Sequence, residues 1–428
     1  MLLRWGLFLA LVAAAAWLLA RLWRIIAVGS AYKAKVLSSI IFGTGREIEP
    51  QRAEEVSADS YWLMRLFQAR VDRAASSVTV SFLGLRRRSA IYRPGQATRA
   101  GLSVPWPQGE ASAALREVVA SAFAEPDPKR LRRTRAVVVV RDGRIVAERY
   151  APGFTEQTPF PGWSMTKSVL GTLIGVLVGE GRLSLHDRAL WSQWRDPDPR
   201  AAITLEDLLR MRSGLHFSEV YSDLSSDVIE MLFNRSDTAA YAASRPLSCR
   251  PGTVWSYSSG TTNILSAIAR KVVGEERYSD WPRQVLFDPV GMSSAVLEPD
   301  PSGTFVGSSF MLATAQDWAR FGQLYLDDGV WEGRRVLPAD WVRFSTTPTP
   351  QSQGVYGAHW WLKLQPEIGG GTADAARIRS DAFFALGHEG QTLTVIPSLR
   401  LVVVRLGLSI YVDAWNHAAF IANLQEAI

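Results

Sequence analysis

The segment Gly162-Trp163-Ser164-Met165-Thr166-Lys167 places a serine hydroxyl and a lysine amine three residues apart, at the start of an apolar stretch that runs to about Gly179. In a helix, side chains at this spacing lie on one face, one above the other. The stretch after Lys167 is apolar on nearly every side, which is typical of a helix buried in a core. Because burial lowers the pKa of a lysine, a neutral amine could take the proton of Ser164 and make it a nucleophile.

The same spacing occurs at Ser30-Ala31-Tyr32-Lys33, where it follows a hydrophobic leader without a turn or a buried helix to support it. Context therefore favours Ser164 and Lys167. The chain has six lysines, and Lys167 is the one that leads an apolar helix. An arginine could not replace it as a base because the guanidinium stays protonated. Ser164 would also gain from the backbone N–H groups and the dipole at the helix start.

Two polar segments downstream could add to this pair. Tyr257, in Trp255-Ser256-Tyr257-Ser258-Ser259-Gly260, follows a loop signal and precedes a helix, and a nearby ammonium would let it exchange a proton. Leu386-Gly387-His388-Glu389-Gly390-Gln391 precedes the final strands, where a backbone N–H could face an oxyanion. Taken alone, each has a plainer interpretation, as an aromatic that caps the core and as a turn.

The elements around these segments predict an α+β fold. Residues 136–140 and 145–150 form a hairpin pattern with Asp142-Gly143 at its turn. Two β-branched runs at 392–396 and 399–406 precede a closing helix at 414–428, and helical patterns fill the middle of the chain. Strands at both ends and helices between them predict an antiparallel sheet flanked by helices, with an inserted, mainly helical lobe.

The N-terminal residues predict a membrane anchor. Trp5 to Ala20 is an apolar run of about 24 Å as a helix, and extension to Val28 would span the hydrocarbon core of about 30 Å. A cleaved signal peptide is the rival interpretation, but no small-residue cleavage site follows cleanly. Arg21 and Arg24 would lie at the interface, and the positive-inside rule then favours a cytoplasmic C-terminal side, against the periplasmic location expected below.

Between the leader and the main domain the pattern is weak. Residues 59–73 have helical spacing, whereas 77–82 and 89–92 alternate as strands do. We therefore expect an N-terminal anchor or signal sequence at 1–29, a linker with a small accessory β segment at 30–109, and the main domain at 110–428.

Composition narrows the functional classes. The 428 residues are 47% hydrophobic, enough for a large core. The net charge of +6 comes from scattered arginines without interleaved aromatics, which predicts a solvated surface and no nucleic-acid partner. The single Cys249 excludes an intrachain disulfide. The five histidines show neither H-E-x-x-H nor close pairing, so we expect no metal and no cofactor.

Taken in order, Ser164-x-x-Lys167, Tyr257-Ser258-Ser259 and His388-Glu389-Gly390 resemble the three motifs of the serine β-lactamase and penicillin-binding-protein superfamily. The resemblance covers about residues 110–428. It is nearest to the class C branch with its related esterases, D-amino-acid peptidases and aminohexanoate-dimer hydrolases. The resemblance implies the β-lactamase-like fold and hydrolysis of a small-molecule ester, amide or peptide.

Roles follow from the resemblance residue by residue. Ser164 would be the acylated nucleophile, Lys167 its proton partner and Tyr257 the base or proton relay. The backbone N–H groups of Ser164 and Gln391 would form the oxyanion hole. The substrate would be bound by the remaining motif residues and by a covering tyrosine: His388, Glu389, Gly390, Ser259 and Tyr221.

Two departures from the family pattern bear on the substrate. Ser259 stands where the second motif often has Asn, and His388 stands where the third often has Lys. A largely neutral histidine binds a substrate carboxylate less well than a lysine, which argues against efficient penicillin hydrolysis.

We therefore expect a serine hydrolase held in a bacterial-type inner membrane, with a periplasmic catalytic domain. One alternative is a membrane-bound penicillin or peptidoglycan-fragment receptor that acylates without turnover. An α/β-hydrolase is disfavoured because the residues around Ser164 lack the second glycine of G-x-S-x-G.

Overall fold

A computed structural model of the chain describes residues 2–93, 105–365 and 371–428. The α-helices are α1 Leu2–Ser38, α2 Ala113–Ser121, α3 Thr166–Gly179, α4 Leu205–Leu209, α5 Asp227–Asn234, α6 Thr238–Ala243, α7 Ser259–Val273, α8 Glu275–Tyr278, α9 Asp288–Val290, α10 Ala315–Leu326, α11 Trp341–Thr346, α12 Thr372–Ala375 and α13 His417–Glu426. The β-strands are β1 Phe67–Asp72, β2 Ser77–Phe82, β3 Leu85–Ile91, β4 Thr134–Arg141, β5 Arg144–Tyr150, β6 Phe160–Pro161, β7 Val296–Leu297, β8 Met311–Ala313, β9 Val330–Trp331, β10 Arg334–Arg335, β11 Phe383–Gly387, β12 Gln391–Ile396 and β13 Leu401–Gly407.

The chain divides into two compact units. The first unit is Met1–Arg93 with Val220–Arg235, and the second is Pro94–Glu219 with Ser236–Ile428. The predicted limits 1–29, 30–109 and 110–428 stay a prediction, and residues 94–104 of the predicted linker lie outside the described residues.

In the first unit, α1 has two parts that differ in exposure. Side chains from Arg4 to Ile25 are exposed, whereas those from Ile26 onward are largely buried against β2, β3 and α5. Among the described residues this helix is long and apolar enough to cross a membrane, a test that an N-terminal signal sequence also passes. The structure therefore contains one candidate for an anchor or a signal sequence.

The first unit also contains a three-stranded antiparallel sheet in the order β1-β2-β3. Phe67 pairs with Phe82, and Val78 pairs with Ala90. The helix predicted over 59–73 is wrong from Phe67 onward: a 3₁₀ helix covers Asp59–Leu66, and the strand β1 follows it. Pairing with β2 and burial of Phe67 outweigh the local helical spacing, as is usual for strand residues.

The second unit is built on a five-stranded antiparallel sheet in the order β11-β12-β13-β4-β5. Val139 in β4 pairs with Val403 in β13, so strands from the two ends of the unit meet at the centre of the sheet. The helices α2 and α13 pack on one another and α10 packs on β12 and β13. The predicted α+β architecture, with a sheet completed from both ends, is confirmed.

Helix α3 lies in the core of this unit, as the sequence predicts. Every residue from Thr166 to Leu177 is buried. A Cβ at Gly175 would overlap the indole of Trp341, so the glycine allows the close approach of that ring. This packing gives the residues at the start of α3 a rigid support.

Candidate active site

A sharp turn presents Ser164 at the start of α3. Trp163–Met165 forms a 3₁₀ turn that leads directly into the helix, and Trp163 has a left-handed backbone with φ of 47°. Such strain in a bulky residue persists only where the surrounding packing holds it. Gly162, just before the turn, lies so close to the buried Trp318 that a Cβ would overlap the indole. The half-buried Ser164 is therefore held on a fixed turn.

Lys167 extends along the same face and meets the serine. Its Nζ donates to Ser164 Oγ at 2.9 Å and to the carbonyl oxygen of Ser308 at 2.9 Å. Burial lowers the pKa of Lys167 to about 8, and the negative charge of Glu219 counters part of that effect. The amine therefore carries a neutral fraction near neutral pH and is in hydrogen-bond contact with the hydroxyl.

The carbonyl of Ser308 that accepts from Lys167 is itself positioned by α7. Asn263 Oδ1 accepts a hydrogen bond from the backbone N–H of Ser308 at 3.1 Å. Asn263 and Ser308 are fully buried. This support for the lysine joins residues 141 positions apart in the chain, and the sequence analysis missed it.

Tyr257 lies beside the pair. Lys167 Nζ is 4.9 Å from the centre of the Tyr257 ring, which suits a cation–π contact, and the tyrosine hydroxyl interacts with Ser164. Burial and the charge of Glu219 raise the pKa of Tyr257 above its ordinary value. The phenol is therefore protonated at neutral pH in the free protein, and the structure brings all three predicted catalytic side chains together.

Glu219 is a site residue that sequence analysis missed. Its Oε1 accepts a short hydrogen bond of 2.5 Å from Ser259 Oγ, and its Oε2 accepts from the backbone N–H of Ser259 at 2.9 Å. The carboxylate thus fixes the start of α7, two residues after Tyr257. The contact joins positions 40 residues apart, and nothing in the local pattern around Glu219 signals it. In the free protein the Ser259 hydroxyl is thus bonded to Glu219. Direct binding of substrate by Ser259 stays a prediction.

The third motif forms a 3₁₀ turn, His388–Gly390, between β11 and β12. Glu389 and Gly390 have left-handed backbones, with φ of 62° and 79°. The ring of His388 packs edge-on against Trp163, with centroids 5.6 Å apart, so the motif adjoins the nucleophile turn. The buried Arg405 donates to the Gly390 carbonyl oxygen at 2.8 Å and holds the turn from behind.

The backbone of Gln391 lies at the start of β12. The nucleophile turn, which contains Ser164, packs against both β11 and β12. The Gln391 side chain is buried and bonds Gly407 in both directions, at 2.7 and 3.0 Å. The side chain thus serves the sheet, and the predicted oxyanion role concerns its backbone.

Two further expectations concern residues away from this cluster. Tyr221 belongs to the first unit and its side chain is 39% exposed, so its predicted role over the substrate stays a prediction. Over residues 2–93, 105–365 and 371–428, His, Cys, Asp and Glu form no group of three or more that could hold a metal ion.

Comparison with known proteins identifies the family. The beta-lactamase family model matches residues 119–407, more than half of the chain. A 6-aminohexanoate-dimer hydrolase from Paenarthrobacter ureafaciens is 27% identical over 303 residues, which are 64% of this chain and 72% of that protein.

Solved structures share the fold. A Bacillus anthracis protein described as a candidate 6-aminohexanoate-dimer hydrolase superposes with a TM-score of 0.63 at 20% identity, covering 88% of this chain and 96% of that one. A family VIII carboxylesterase superposes with a TM-score of 0.56 at 16% identity, covering 75% and 99%. The chain therefore belongs to the beta-lactamase family and is a hydrolase of that family.

Proposed function

We propose that the protein cleaves an ester or amide bond through a covalent acyl-enzyme on Ser164. The observation that carries this proposal is the 2.9 Å hydrogen bond between Ser164 Oγ and the buried amine of Lys167. A nucleophile in direct contact with a base of lowered pKa is the arrangement that activates a serine.

The residues divide the reaction as follows. Neutral Lys167 takes the proton of Ser164 as the oxygen attacks the carbonyl carbon. The resulting oxyanion receives hydrogen bonds from the backbone N–H groups of Ser164 and Gln391. The phenol of Tyr257 passes a proton to the leaving alcohol or amine and regains one from Lys167. Water then attacks the acyl-enzyme, and its proton passes through Tyr257 to Lys167. Lys167 returns a proton to Ser164 as the carboxylic acid leaves.

The raised pKa of Tyr257 supports the relay role over the role of base. A phenol that stays protonated is a poor resting base, so Tyr257 acts as the relay and Lys167 as the base.

The substrate class follows from the third motif and from the relatives. His388 replaces the lysine that would bind the carboxylate of a penicillin, which favours substrates without that group. The similar proteins include a 6-aminohexanoate-dimer hydrolase and a carboxylesterase. We therefore propose carboxylic esters, aminohexanoate oligomers or D-amino-acid peptides as substrates, with His388, Glu389 and Gly390 lining the acyl side.

The proposal is tested by intact-protein mass spectrometry after exposure to a fluorophosphonate and, separately, to a penicillin, together with turnover of a p-nitrophenyl ester. We expect one fluorophosphonate adduct per protein, which is lost in the Ser164→Ala variant, and we expect turnover of the p-nitrophenyl ester. A stable penicillin adduct without turnover would instead support the receptor function. No adduct and no turnover in a folded protein would show that the hydrolase proposal is wrong.

The pKa of Lys167 sets the pH dependence. Only the neutral amine accepts the serine proton, so kcat/KM should rise with pH and level off above about 8. At pH 7 about one amine in ten is neutral, so the rate there should be about a tenth of the plateau. A pH profile of p-nitrophenyl ester hydrolysis between pH 5.5 and about 9.5 checks this. A profile that is flat across that range would contradict the role of Lys167 as base.

Glu219 should tune this profile as a positioning residue. The Glu219→Gln variant keeps an oxygen for the Ser259 N–H but loses the negative charge that favours the ammonium form of Lys167. The pKa of Lys167 should then fall further, and the rising limb should move to lower pH by up to about one unit.

The matched control is Ser259→Ala, which breaks the hydrogen bond and leaves the charge in place. Its rising limb should stay within about 0.2 units of the wild-type position. If both variants shift the limb equally, Glu219 acts through structure and its electrostatic role is wrong.

We also propose that α1 anchors the catalytic domain in the periplasm of a bacterial cell. The exposed apolar part of α1 supports the anchor, and the resemblance to the penicillin-binding-protein superfamily supports the location. A fusion of alkaline phosphatase to the C-terminus tests the orientation, since that enzyme folds in the periplasm. If the phosphatase fusion is inactive and a C-terminal fusion to a fluorescent protein that folds in the cytoplasm is fluorescent, the periplasmic location is wrong.

A further inference from the structure

The exposed part of α1 ends at a sharp boundary. Ile25 is 37% exposed, whereas the next residue, Ile26, is 7% exposed. The 22 residues from Arg4 to Ile25 extend about 33 Å as a helix, close to the hydrocarbon thickness of about 30 Å. If this part spans the bilayer, the level of Trp23 to Ile25 is the level of the membrane surface on the side of the folded domain.

Strand β3 runs along α1, starting at this level. The guanidinium of Arg86, at the start of β3, lies 4.7 Å from the ring centre of Trp23. At the other end, Tyr92 stacks on Phe42 with centroids 6.3 Å apart. The strand therefore starts beside the boundary and runs away from the exposed part of the helix, so the turn before it lies at the level of the boundary.

That turn is apolar and exposed. Leu83 is 67% exposed and Leu85 is 52% exposed, with Gly84 between them at φ of 80°. Two exposed leucines at a hairpin tip cost free energy in water and gain it in an interfacial layer. Their place beside Trp23, an aromatic residue of the kind enriched at membrane interfaces, accounts for their exposure.

Positive charge follows the leucines directly. Arg86, Arg87 and Arg88 come next in β3, and Arg21 and Arg24 lie on α1 at the same level. Glu230 of α5 pairs with Arg24 at 3.5 Å. A cluster of arginines beside a membrane surface is attracted to anionic phospholipids, with about a fivefold gain in binding for each arginine.

We propose that the turn Leu83-Gly84-Leu85, with Arg86 to Arg88, is a docking surface for an anionic bilayer. The leucines enter the interface and the arginines bind lipid phosphates, so the first unit rests on the membrane in a defined orientation. This inference rests on the proposed anchoring by α1. The docking surface contacts the leaflet from which α1 emerges.

Site-specific fluorescence tests the docking surface. In full-length protein with Cys249→Ser, Leu83→Cys is labelled with the environment-sensitive dye NBD and reconstituted into vesicles of phosphatidylcholine with phosphatidylglycerol. We expect a blue-shifted emission and at least about twofold stronger quenching by lipids that carry a shallow doxyl group than in the control Ile91→Cys. Ile91 is the matched control because it lies at the far end of the same strand and is 59% exposed.

The arginine contribution is measured in the same labelled protein. Replacement of Arg86, Arg87 and Arg88 by glutamine should reduce the quenching at position 83. Vesicles of phosphatidylcholine alone, or a high salt concentration, should also reduce it. Equal quenching in neutral and anionic vesicles would overturn the charge recognition.

A third label separates this inference from the anchor proposal. Leu11→Cys lies in the exposed part of α1 and should be quenched by lipids with a deep doxyl group. Deep quenching at position 11 with equal signals at 83 and 91 would show that the docking surface is wrong and the anchor correct. Without quenching at position 11, the anchor proposal itself fails.

Discussion

Replacement of Lys167 by methionine should lower kcat for p-nitrophenyl ester hydrolysis by about 10²- to 10⁴-fold, the range for loss of a general base. Methionine matches the length of the lysine stem and suits the buried site, so the fold should be kept. The reason for the loss is that the amine, 2.9 Å from Ser164 Oγ, is the group placed to take its proton. Stopped-flow ester hydrolysis and the rate of fluorophosphonate labelling measure the effect.

Lys271→Met is the matched control for this variant. Lys271 is an exposed lysine near the end of α7, so its replacement removes the same charge outside the site. We expect the control to keep its activity within about twofold, because surface substitutions rarely perturb a fold. If Lys167→Met retains its labelling rate within tenfold while folded, Lys167 is not the base and another group must activate Ser164.

Replacement of Tyr257 by phenylalanine should lower kcat/KM by about 10²- to 10³-fold, since it removes a single hydroxyl that moves a proton. The ring should stay in place because it packs on Trp361, with centroids 5.2 Å apart, and against the amine of Lys167. Rapid-quench kinetics separate acylation from deacylation. A relay role slows both steps, since each needs proton transfer at the same oxygen.

The neighbouring Tyr356 provides the control. It is buried, and its ring meets that of Tyr257 edge-on at 5.8 Å, so Tyr356→Phe removes a hydroxyl from the same aromatic cluster. We expect a change of less than about threefold, because the proposed mechanism routes no proton through this hydroxyl. Equal losses in the two variants would mean that the cluster acts through packing, and the relay role of Tyr257 would be wrong.

The fate of the predicted helix at 59–73 shows how tertiary contacts override local spacing. Its residues have helical periodicity, yet Phe67–Asp72 is a strand because β2 offers hydrogen bonds and the buried Phe67 packs on Phe82. Strand preference depends on the neighbours that a residue meets, which a short window of sequence does not contain. The hairpin of β4 and β5, by contrast, was predictable because its Asp142-Gly143 turn is itself a local signal.

The active site likewise has features that local sequence predicts and features that only tertiary contacts produce. Sequence alone determined that Ser164 and Lys167 share a face at the start of a buried helix, because three residues along a helix fix that geometry and the apolar pattern fixes the burial. Only the tertiary structure decided what surrounds them. Glu219 reaches Ser259 across 40 residues, and the Ser308 carbonyl reaches Lys167 across 141. Such contacts arise from the packing of whole elements, so the electrostatic setting of the nucleophile is a property of the fold.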